Sequence, residues 1–376
     1  MNLLFIFLQV FFLGNSEPTN IPKKPLQNHT ISEINTLFED ANFKIKNDEV
    51  VLELKKIAVN LNGSVIYADK GQIIYQNTSG YKSLKAKNKI TPNTLFDLAS
   101  ISKQFTAAAI LLLASHDSLN LDDLIVKYLP TLPYDNVTIK NLLTHTSGLP
   151  EYFEYEKYFR SDTVFTNQML VHYLSTSLII KKETPDKKFE YINTNYALLA
   201  SIIENVTGQK FSDYVRTNIL IPAGMTNTFF YTELSSIPNL DVCQGHLFNG
   251  TQEKDNILNS VLGDKSMYST ADDLYKWYKA FYKDYKVLPK KWVDKAMNPH
   301  NKVNGQFPKE LYGYGLRIEE HPLNRKLVYH GGLWRGFHHV MTYRPDDNKF
   351  ILFLSNYRNR AHNGKTNYIF GIIDGA

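Results

Sequence analysis

The apolar residues of this chain follow two spacings, and the change between them divides it into three parts. Near both ends they form short alternating runs typical of β-strands, whereas helical spacing dominates from Ser100 to about Ala280. Residues 63–68 and 72–75, joined by a turn at 69–71, predict a β-hairpin. Later strands are predicted at residues 314–318, 326–329, 338–343 and 350–354.

Strands at both ends with helices between them predict an α/β (α+β) fold. We expect one mainly antiparallel sheet, built from both chain ends and flanked by helices. A mostly helical lobe, at about residues 100–280, would be inserted between the two groups of strands.

The beginning of the chain has the pattern of a targeting segment. Residues 2–13 are apolar except for Asn2 and Gln9, a run too short to span a bilayer but typical of a signal-peptide core. We therefore expect a signal peptide at residues 1–16, a lead-in with a helix at 17–54, and the functional domain at 55–376. The mature chain would be exported, periplasmic or secreted, without an integral membrane span.

Composition and charge narrow the class of protein only modestly. The 376 residues are 43% hydrophobic, enough for a sizeable core. The net charge is +5, and basic pairs such as Lys181-Lys182 and Lys187-Lys188 lack neighbouring aromatic residues, which favours a solvated surface over a nucleic-acid site. The single cysteine, Cys243, excludes an intramolecular disulfide and a cysteine-based zinc site. We expect no metal and no cofactor.

Ser100 and Lys103 form the most informative motif. On a helix, the Ser-x-x-Lys spacing places the hydroxyl and the amine on one face. The apolar run after Lys103 predicts burial, which at the positive end of a helix lowers a lysine pKa. We interpret Ser100 as an activated nucleophile, with helix capping as the alternative. A second match, Ser79 to Lys82, lies where the pattern predicts a strand end and a turn.

Tyr191 and Asn193 form the second motif, in a loop that leads into a buried helical pattern. A phenol at this place can relay a proton to a leaving group, and an amide can hydrogen-bond a substrate. A core tyrosine followed by a capping asparagine is the alternative interpretation.

The third motif is His330-Gly331-Gly332, at a predicted strand and followed by Leu333. Two glycines let a substrate approach an edge strand closely, and a backbone N–H just after them can point at an oxyanion. A glycine-rich strand bulge is the alternative. His338 and His339 alternate faces of the next strand, which makes them poor candidates for a shared metal site.

In this order, the three motifs resemble those of the serine β-lactamase and penicillin-binding-protein superfamily. The similar branch contains class C β-lactamases, D-alanyl-D-alanine carboxypeptidases and related esterases. The likeness covers about residues 55–360 and includes residues 94–106, around Ser100, and 139–150, similar to the family's most recognisable structural signature. It implies a serine hydrolase that forms an acyl-enzyme with a small-molecule or peptide substrate: an ester, an amide or a D-amino-acid peptide.

The resemblance also implies a role for each position. Ser100 would be the nucleophile, Lys103 its activating partner and Tyr191 the proton relay. The substrate would be bound by Asn193, His330, Gly331, Gly332 and Leu333. The backbone N–H groups of Ser100 and Leu333 would form the oxyanion hole, whereas His145 and Ser147 would have structural roles.

Three departures from the family pattern affect the expected activity. His330-Gly-Gly replaces the Lys-Thr-Gly of β-lactamases, and a neutral histidine holds a substrate carboxylate less well than lysine does. Ser266 stands where relatives commonly have glycine, and Ile192 replaces a small polar residue, which would narrow the pocket. We therefore expect esters or D-amino-acid peptides to be preferred over β-lactams.

Other functions stay open from the sequence. One alternative is a true class C-like β-lactamase, and another is a protein of the same fold that binds penicillin or senses cell-wall fragments without turnover. An interaction module with relic motifs is disfavoured because Ser100, Lys103, Tyr191 and His330 are all retained.

Overall fold

The computed structural model describes residues 31–158, 164–176, 183–321, 325–358 and 364–374. The chain divides into two units, Met1–Lys46 and Asn47–Ala376. The predicted signal peptide, residues 1–16, lies outside the described residues. The lead-in helix is present as α1 (Ile31–Leu61), and it ends at Leu61 rather than near residue 54. No described helix is both long and apolar enough to cross a lipid bilayer.

The described residues contain the following strands and α-helices, numbered in chain order. The strands are β1 (Gly63–Asp69), β2 (Gln72–Ser79), β3 (Tyr81–Ser83), β4 (Asn88–Lys89), β5 (Phe96–Asp97), β6 (Phe229–Phe230), β7 (Met267–Ser269), β8 (Leu311–Tyr312), β9 (Arg317–His321), β10 (Arg325–Trp334), β11 (Phe337–Arg344) and β12 (Lys349–Ser355). The helices after α1 are α2 (Lys103–Ser115), α3 (Ile139–Leu143), α4 (Asn167–Thr176), α5 (Asn193–Thr207), α6 (Phe211–Val215), α7 (Ile221–Ala223), α8 (Tyr231–Leu234), α9 (Ala271–Trp277), α10 (Lys290–Ala296) and α11 (Lys365–Asp374). Short 3₁₀ turns lie at Ala99–Ser102, Ile125–Lys127, Tyr152–Tyr158 and Ile257–Ser260, and π-helical turns at Arg216–Leu220 and Tyr278–Lys283.

One large sheet joins the two ends of the second unit. Its order is β2-β1-β12-β11-β10-β9-β8, and every neighbouring pair is antiparallel. Strand β1 pairs with β12 from Gly63 opposite Ser355 to Asp69 opposite Lys349. The fold class predicted from the sequence is confirmed, including the hairpin of β1 and β2.

Apolar side chains cover both faces of this sheet. On one face, α1 and α11 pack on β1, β10 and β12 through a cluster that includes Leu54, Tyr67, Phe353, Ile369 and Phe370. On the opposite face, the central strands and helices α2, α5 and α9 share a larger cluster. Burial of these apolar surfaces is the main stabilising contribution to such a layered unit.

The middle of the chain is mostly helical, as predicted, but it also contains a second sheet that the sequence pattern missed. Strands β5, β7 and β6 pair antiparallel, with Asp97 opposite Tyr268. Strands of two or three residues carry too few positions to show alternation. This small sheet matters because β5 leads directly into the turn that holds Ser100.

Candidate active site

Ser100 lies in the 3₁₀ turn Ala99–Ser102, and α2 begins at Lys103. The sequence predicted an α-helix from Ser100 itself, and that boundary is wrong. Ala99 has a φ of 48°, a left-handed conformation that costs an L-residue about 1–2 kcal/mol and prevents a regular helix from extending back through it. The carboxylate of Asp97 stabilises the turn, since its Oδ1 accepts the Ala99 N–H at 2.9 Å.

The amine of Lys103 makes three hydrogen bonds, one of them to Ser100. Nζ lies 3.1 Å from Ser100 Oγ, and it donates to Asn193 Oδ1 and to the Asp264 carbonyl at 2.8 Å each. Carbonyl oxygens only accept, so two positions on Nζ must remain N–H donors. When Lys103 loses a proton, its lone pair therefore faces Ser100.

The surroundings of Lys103 bring its pKa close to neutrality. Its side chain is fully buried. The net effect lowers the pKa to about 8. Burial is the largest cause, Asp264 and Glu151 oppose it, and the charge of Arg317 also lowers the pKa. At pH 7, about one-tenth of such amines are unprotonated. The lowered pKa agrees with the expectation from the sequence.

Glu151 fixes the orientation of the Asn193 amide. Its Oε2 accepts from the backbone N–H of Asn193 at 2.7 Å and from Asn193 Nδ2 at 2.9 Å. The amide oxygen of Asn193 is consequently turned toward Lys103 Nζ. The sequence predicted Asn193 as a substrate contact, and the structure adds that it is a partner of Lys103.

Tyr191 lies beside the Ser100–Lys103 pair. Its ring centre is 4.9 Å from Lys103 Nζ and 4.8 Å from the guanidinium carbon of Arg317. Its buried hydroxyl makes no hydrogen bond of good geometry within the described residues. Burial raises the Tyr191 pKa, although Ser100 and Arg317 oppose that rise. The phenol is therefore protonated at neutral pH.

His145 and Ser147 support this arrangement from behind. His145 Nδ1 accepts the Ile192 N–H at 3.1 Å, and its ring stacks 4.3 Å from that of Tyr191. Ser147 Oγ donates to Asn195 Oδ1 at 2.6 Å, within the first turn of α5. His145 thus holds the loop that carries Tyr191, and Ser147 holds the start of α5, consistent with the structural roles expected for them.

His330 is a neutral side chain with both ring nitrogens engaged. Nδ1 lies 2.7 Å from the Gly331 carbonyl, which only accepts, so Nδ1 carries the proton. Nε2 then accepts from the Tyr312 hydroxyl at 3.0 Å. Burial lowers the pKa of His330 well below its usual range, and the charges of Arg317 and Lys103 add to the effect.

The two glycines after His330 differ in what surrounds them. A Cβ on Gly332 would lie 2.5 Å from the Leu98 carbonyl oxygen, so the turn that holds Ser100 packs against this glycine. A Cβ on Gly331 would meet only the His339 carbonyl oxygen, at an ordinary 3.5 Å. Leu333 follows on the same strand with a half-exposed side chain.

One cleft of about 290 Å³ brings the predicted site residues together. Its lining includes Ser100, Tyr191, Asn193, His330, Gly331, Gly332 and Leu333, and Lys103 lies directly behind Ser100. Ile192 is buried and absent from the lining, so its side chain does not narrow the cleft as the sequence suggested.

The cleft also contains residues that sequence reasoning missed. Arg317, Lys265, Phe153 and Trp334 line it, and Glu151 lies behind Asn193. Only Trp334 carried a usable signal, because it lies two positions after Gly332 and therefore shares its face of the strand. The other residues come from loops or a neighbouring strand whose approach the sequence pattern did not indicate.

This fold and site define a class of protein. A Ser-x-x-Lys pair beside a tyrosine and a glycine-containing strand is typical of penicillin-recognising serine enzymes. The beta-lactamase family model matches residues 54–371, and the chain belongs to that family.

Comparisons with individual proteins agree with this membership. The chain is 33% identical to penicillin-binding protein 4* of Bacillus subtilis (strain 168) over 309 residues, which cover 78% of this chain and 68% of that protein. An octameric penicillin-binding protein homologue from Pyrococcus abyssi has a TM-score of 0.75 and 27% identity, covering 87% of this chain and 77% of that one. D-amino acid amidase from Ochrobactrum anthropi SV3 shares the fold, with a TM-score of 0.73 and 24% identity over 88% of this chain and 98% of its own.

Proposed function

We propose that the protein is a serine hydrolase that forms an acyl-enzyme on Ser100 with an ester, an amide or a D-amino-acid peptide. The observation that carries the proposal is the contact of Lys103 Nζ with Ser100 Oγ at 3.1 Å, with the other two bonds of Nζ directed at carbonyl oxygens. Membership of the beta-lactamase family supports the same chemistry.

The acylation step follows from these contacts. Unprotonated Lys103 accepts the Ser100 proton while Oγ attacks the substrate carbonyl carbon and forms a C–O bond. The bond from that carbon to the leaving group then breaks, and the leaving group takes a proton from the Tyr191 hydroxyl. Lys103 returns its proton to Tyr191, so the net transfer is from serine to leaving group. Water then attacks the acyl carbon and loses a proton, the bond from that carbon to Ser100 Oγ breaks, and Oγ takes a proton, which releases the acid and restores the serine.

The backbone supplies the remaining stabilisation in this proposal. The N–H groups of Ser100 and Leu333 border the same cleft and would bind the carbonyl oxygen as it becomes negatively charged. Loss of one such donor typically lowers kcat by about 10²–10³-fold. The close packing of Gly332 against Leu98 fixes strand β10 against the turn that carries Ser100.

The proposed substrate preference rests on His330. Because this histidine is neutral and both of its nitrogens are engaged, it offers no permanent charge to a substrate carboxylate. We therefore favour small esters and D-amino-acid peptides over β-lactams. The fold shared with D-amino acid amidase is compatible with this preference.

Arg317 favours a second candidate function, the binding or hydrolysis of β-lactams. Its guanidinium lines the cleft, near Tyr191, and carries the permanent charge that His330 lacks. An ion pair with the half-exposed Glu310 competes for that charge, but such pairs contribute only about 0–1 kcal/mol. Similarity to penicillin-binding protein 4* supports the same possibility.

Comparative kinetics separate the two candidates. We expect kcat/KM for a short-chain nitrophenyl ester to exceed that for a chromogenic cephalosporin. A cephalosporin value near ~10⁷ M⁻¹s⁻¹, in the range of efficient enzymes, would instead identify a true β-lactamase. A stable penicilloyl adduct on Ser100, without turnover of any ester or peptide, would identify a penicillin-binding sensor.

A further inference from the structure

Two aromatic side chains, Phe153 and Trp334, form one wall of the cleft that contains Ser100. Their ring centres lie 4.9 Å apart with the planes tilted by 35°, and both side chains are partly exposed. The mechanism proposed above uses neither ring. We call this pair the aromatic wall.

Neighbouring polar groups hold the aromatic wall in place. Trp334 Nε1 donates to Asn259 Oδ1 at 3.0 Å, and the Arg335 guanidinium carbon lies 5.0 Å from the indole centre. Lys265 Nζ lies 5.2 Å from the Trp334 ring and 5.4 Å from the Phe153 ring. Lys265 is itself buried, and its amine donates to Tyr152 Oη at 2.6 Å. A wall fixed in this way loses little conformational entropy when a ligand binds.

The register of β10 sets the position of the wall relative to Ser100. His330, Gly332 and Trp334 alternate with their neighbours and therefore share one face of the strand. Gly332 packs against the turn that carries Ser100, and Trp334 lies two residues further, about 7 Å along the strand. When the carbonyl carbon of a substrate lies at Ser100, a group attached one or two bonds away on its acyl part reaches across that distance.

The proton-transfer groups decide which part of a substrate faces the wall. Arg317 pairs in register with Tyr329, about five residues or ~17 Å along β10 from Trp334, and it lies over Tyr191. Since Tyr191 delivers the proton to the leaving group in the proposed mechanism, the leaving group lies toward Arg317. The acyl part then points the opposite way, toward Phe153 and Trp334.

We propose that Phe153 and Trp334 form a subsite for an aromatic or branched apolar group on the acyl part of the substrate. The proposal rests on the proposed function and specifies its substrate class. An aromatic group packed against the face of this wall gains apolar burial together with ring–ring contact. One additional methylene in such a pocket changes discrimination by about 10–200-fold, so a phenyl ring gives a measurable preference.

Two nitrophenyl esters with the same leaving group, acetate and phenylacetate, test the subsite. After division by the hydroxide-catalysed rates, we expect the wild-type protein to favour phenylacetate in kcat/KM by tenfold or more. Trp334→Leu should reduce this ratio at least tenfold, and Phe153→Leu should also reduce it. Trp292→Leu is the matched control, because Trp292 lies on α10 and outside the cleft lining, and should keep the wild-type ratio.

The outcomes distinguish the subsite from the hydrolase function. Equal wild-type rates for the two esters, or an unchanged ratio in both aromatic variants, would overturn the subsite and leave the hydrolase intact. No turnover of any ester or peptide and no covalent adduct on Ser100 would instead contradict the proposed function. Circular dichroism shows whether each variant folds. If Trp334→Leu does not fold, the phenylacetate-to-acetate ratios of the wild type and of Phe153→Leu test the subsite.

Discussion

At the scale of single residues, the environment of Lys103 determines whether the site can work near neutral pH. Its pKa is lowered to about 8, mainly by burial; Arg317 contributes to the lowering, and Asp264 and Glu151 act in the opposite direction. The charge of each of two neighbours, Arg317 and Glu151, can be removed by replacement with glutamine. The two replacements should therefore shift the Lys103 pKa in opposite directions.

Arg317→Gln removes a positive charge and should raise the Lys103 pKa. If activity requires unprotonated Lys103, kcat/KM rises with pH through that pKa, so the acidic limb of the profile should move to higher pH. The rate at pH 7 should fall roughly threefold or more. Measuring kcat/KM for a neutral ester between pH 5 and 10 gives the limb directly.

Glu151→Gln should move the same limb to lower pH, because it removes a negative charge that raises the Lys103 pKa. Glu151→Gln also changes the contacts that orient Asn193, which affects the absolute rate. The pH at which the acidic limb lies is therefore the quantity to compare. Movement of both variants in one direction would contradict the assignment of this limb to Lys103.

Sequence reasoning at this scale succeeded where chemistry is local. Ser100 and Lys103 are three residues apart, so a single turn brings them together whatever the rest of the fold does. Arg317 and Glu151 reach Lys103 only through tertiary packing, and no spacing in the chain indicates their approach. Their effect on the Lys103 pKa could therefore not be predicted from the sequence.

At the scale of elements, the turn Ala99–Ser102 and strand β10 set the geometry of the cleft. The sequence placed both near the right positions but missed the left-handed residues. Ala99 has a φ of 48° and Ser266 a φ of 73°, and neither is a glycine. Left-handed backbone at a residue with a side chain depends on surrounding contacts, such as the Asp97 carboxylate at Ala99, rather than on local propensity.

Gly332→Ala should lower kcat/KM by two orders of magnitude or more. The new Cβ would lie 2.5 Å from the Leu98 carbonyl oxygen, so the turn that holds Ser100 or strand β10 must shift. A displacement of about 1 Å in a catalytic group costs on the order of 10²-fold. Steady-state kinetics with a nitrophenyl ester measure the loss.

Gly331→Ala is the neighbouring control, since its Cβ would have an ordinary contact at 3.5 Å. We expect it to lose far less activity than Gly332→Ala does. Equal losses in the two variants would show that the packing against Leu98 does not position Ser100.

At the scale of the whole molecule, pairing of β1 with β12 explains why strand patterns occur at both ends of the chain. The sequence predicted one sheet built from both chain ends, because short strands with polar turns are recognisable in isolation, but not which strands pair. It did not reveal that α11 completes one face of the sheet. The contact combines a short apolar stripe, Ile369, Phe370 and Ile373, with ion pairs of Asp374 to arginines distant in sequence, which leave no periodic signal.

Asp374→Ala tests how α11 is held on the sheet. The side chain of Asp374, on α11, is almost fully buried and receives hydrogen bonds from Arg344 at 3.0 Å and from Arg325 at 2.7 Å. Removal of one partner of a buried pair is strongly destabilising, so we expect the free energy of unfolding to fall by about 3 kcal/mol. Urea denaturation followed by circular dichroism measures the change.

Asp294→Ala provides the comparison, because Asp294 pairs with Lys290 on the exposed side of α10. A solvent-exposed ion pair contributes less than about 1 kcal/mol. Destabilisation by Asp294→Ala as large as that by Asp374→Ala would contradict the role assigned to the buried pair.

The most direct test of the account is the site of covalent labelling. The protein is incubated with a fluorophosphonate or a labelled penicillin, and the adduct is located by mass spectrometry. We expect a single adduct on Ser100, retained in Ser79→Ala and absent in Ser100→Ala, since Ser79 lies at the end of β2 and Ser100 contacts Lys103. An adduct on another residue, or labelling that persists in Ser100→Ala, would contradict the account.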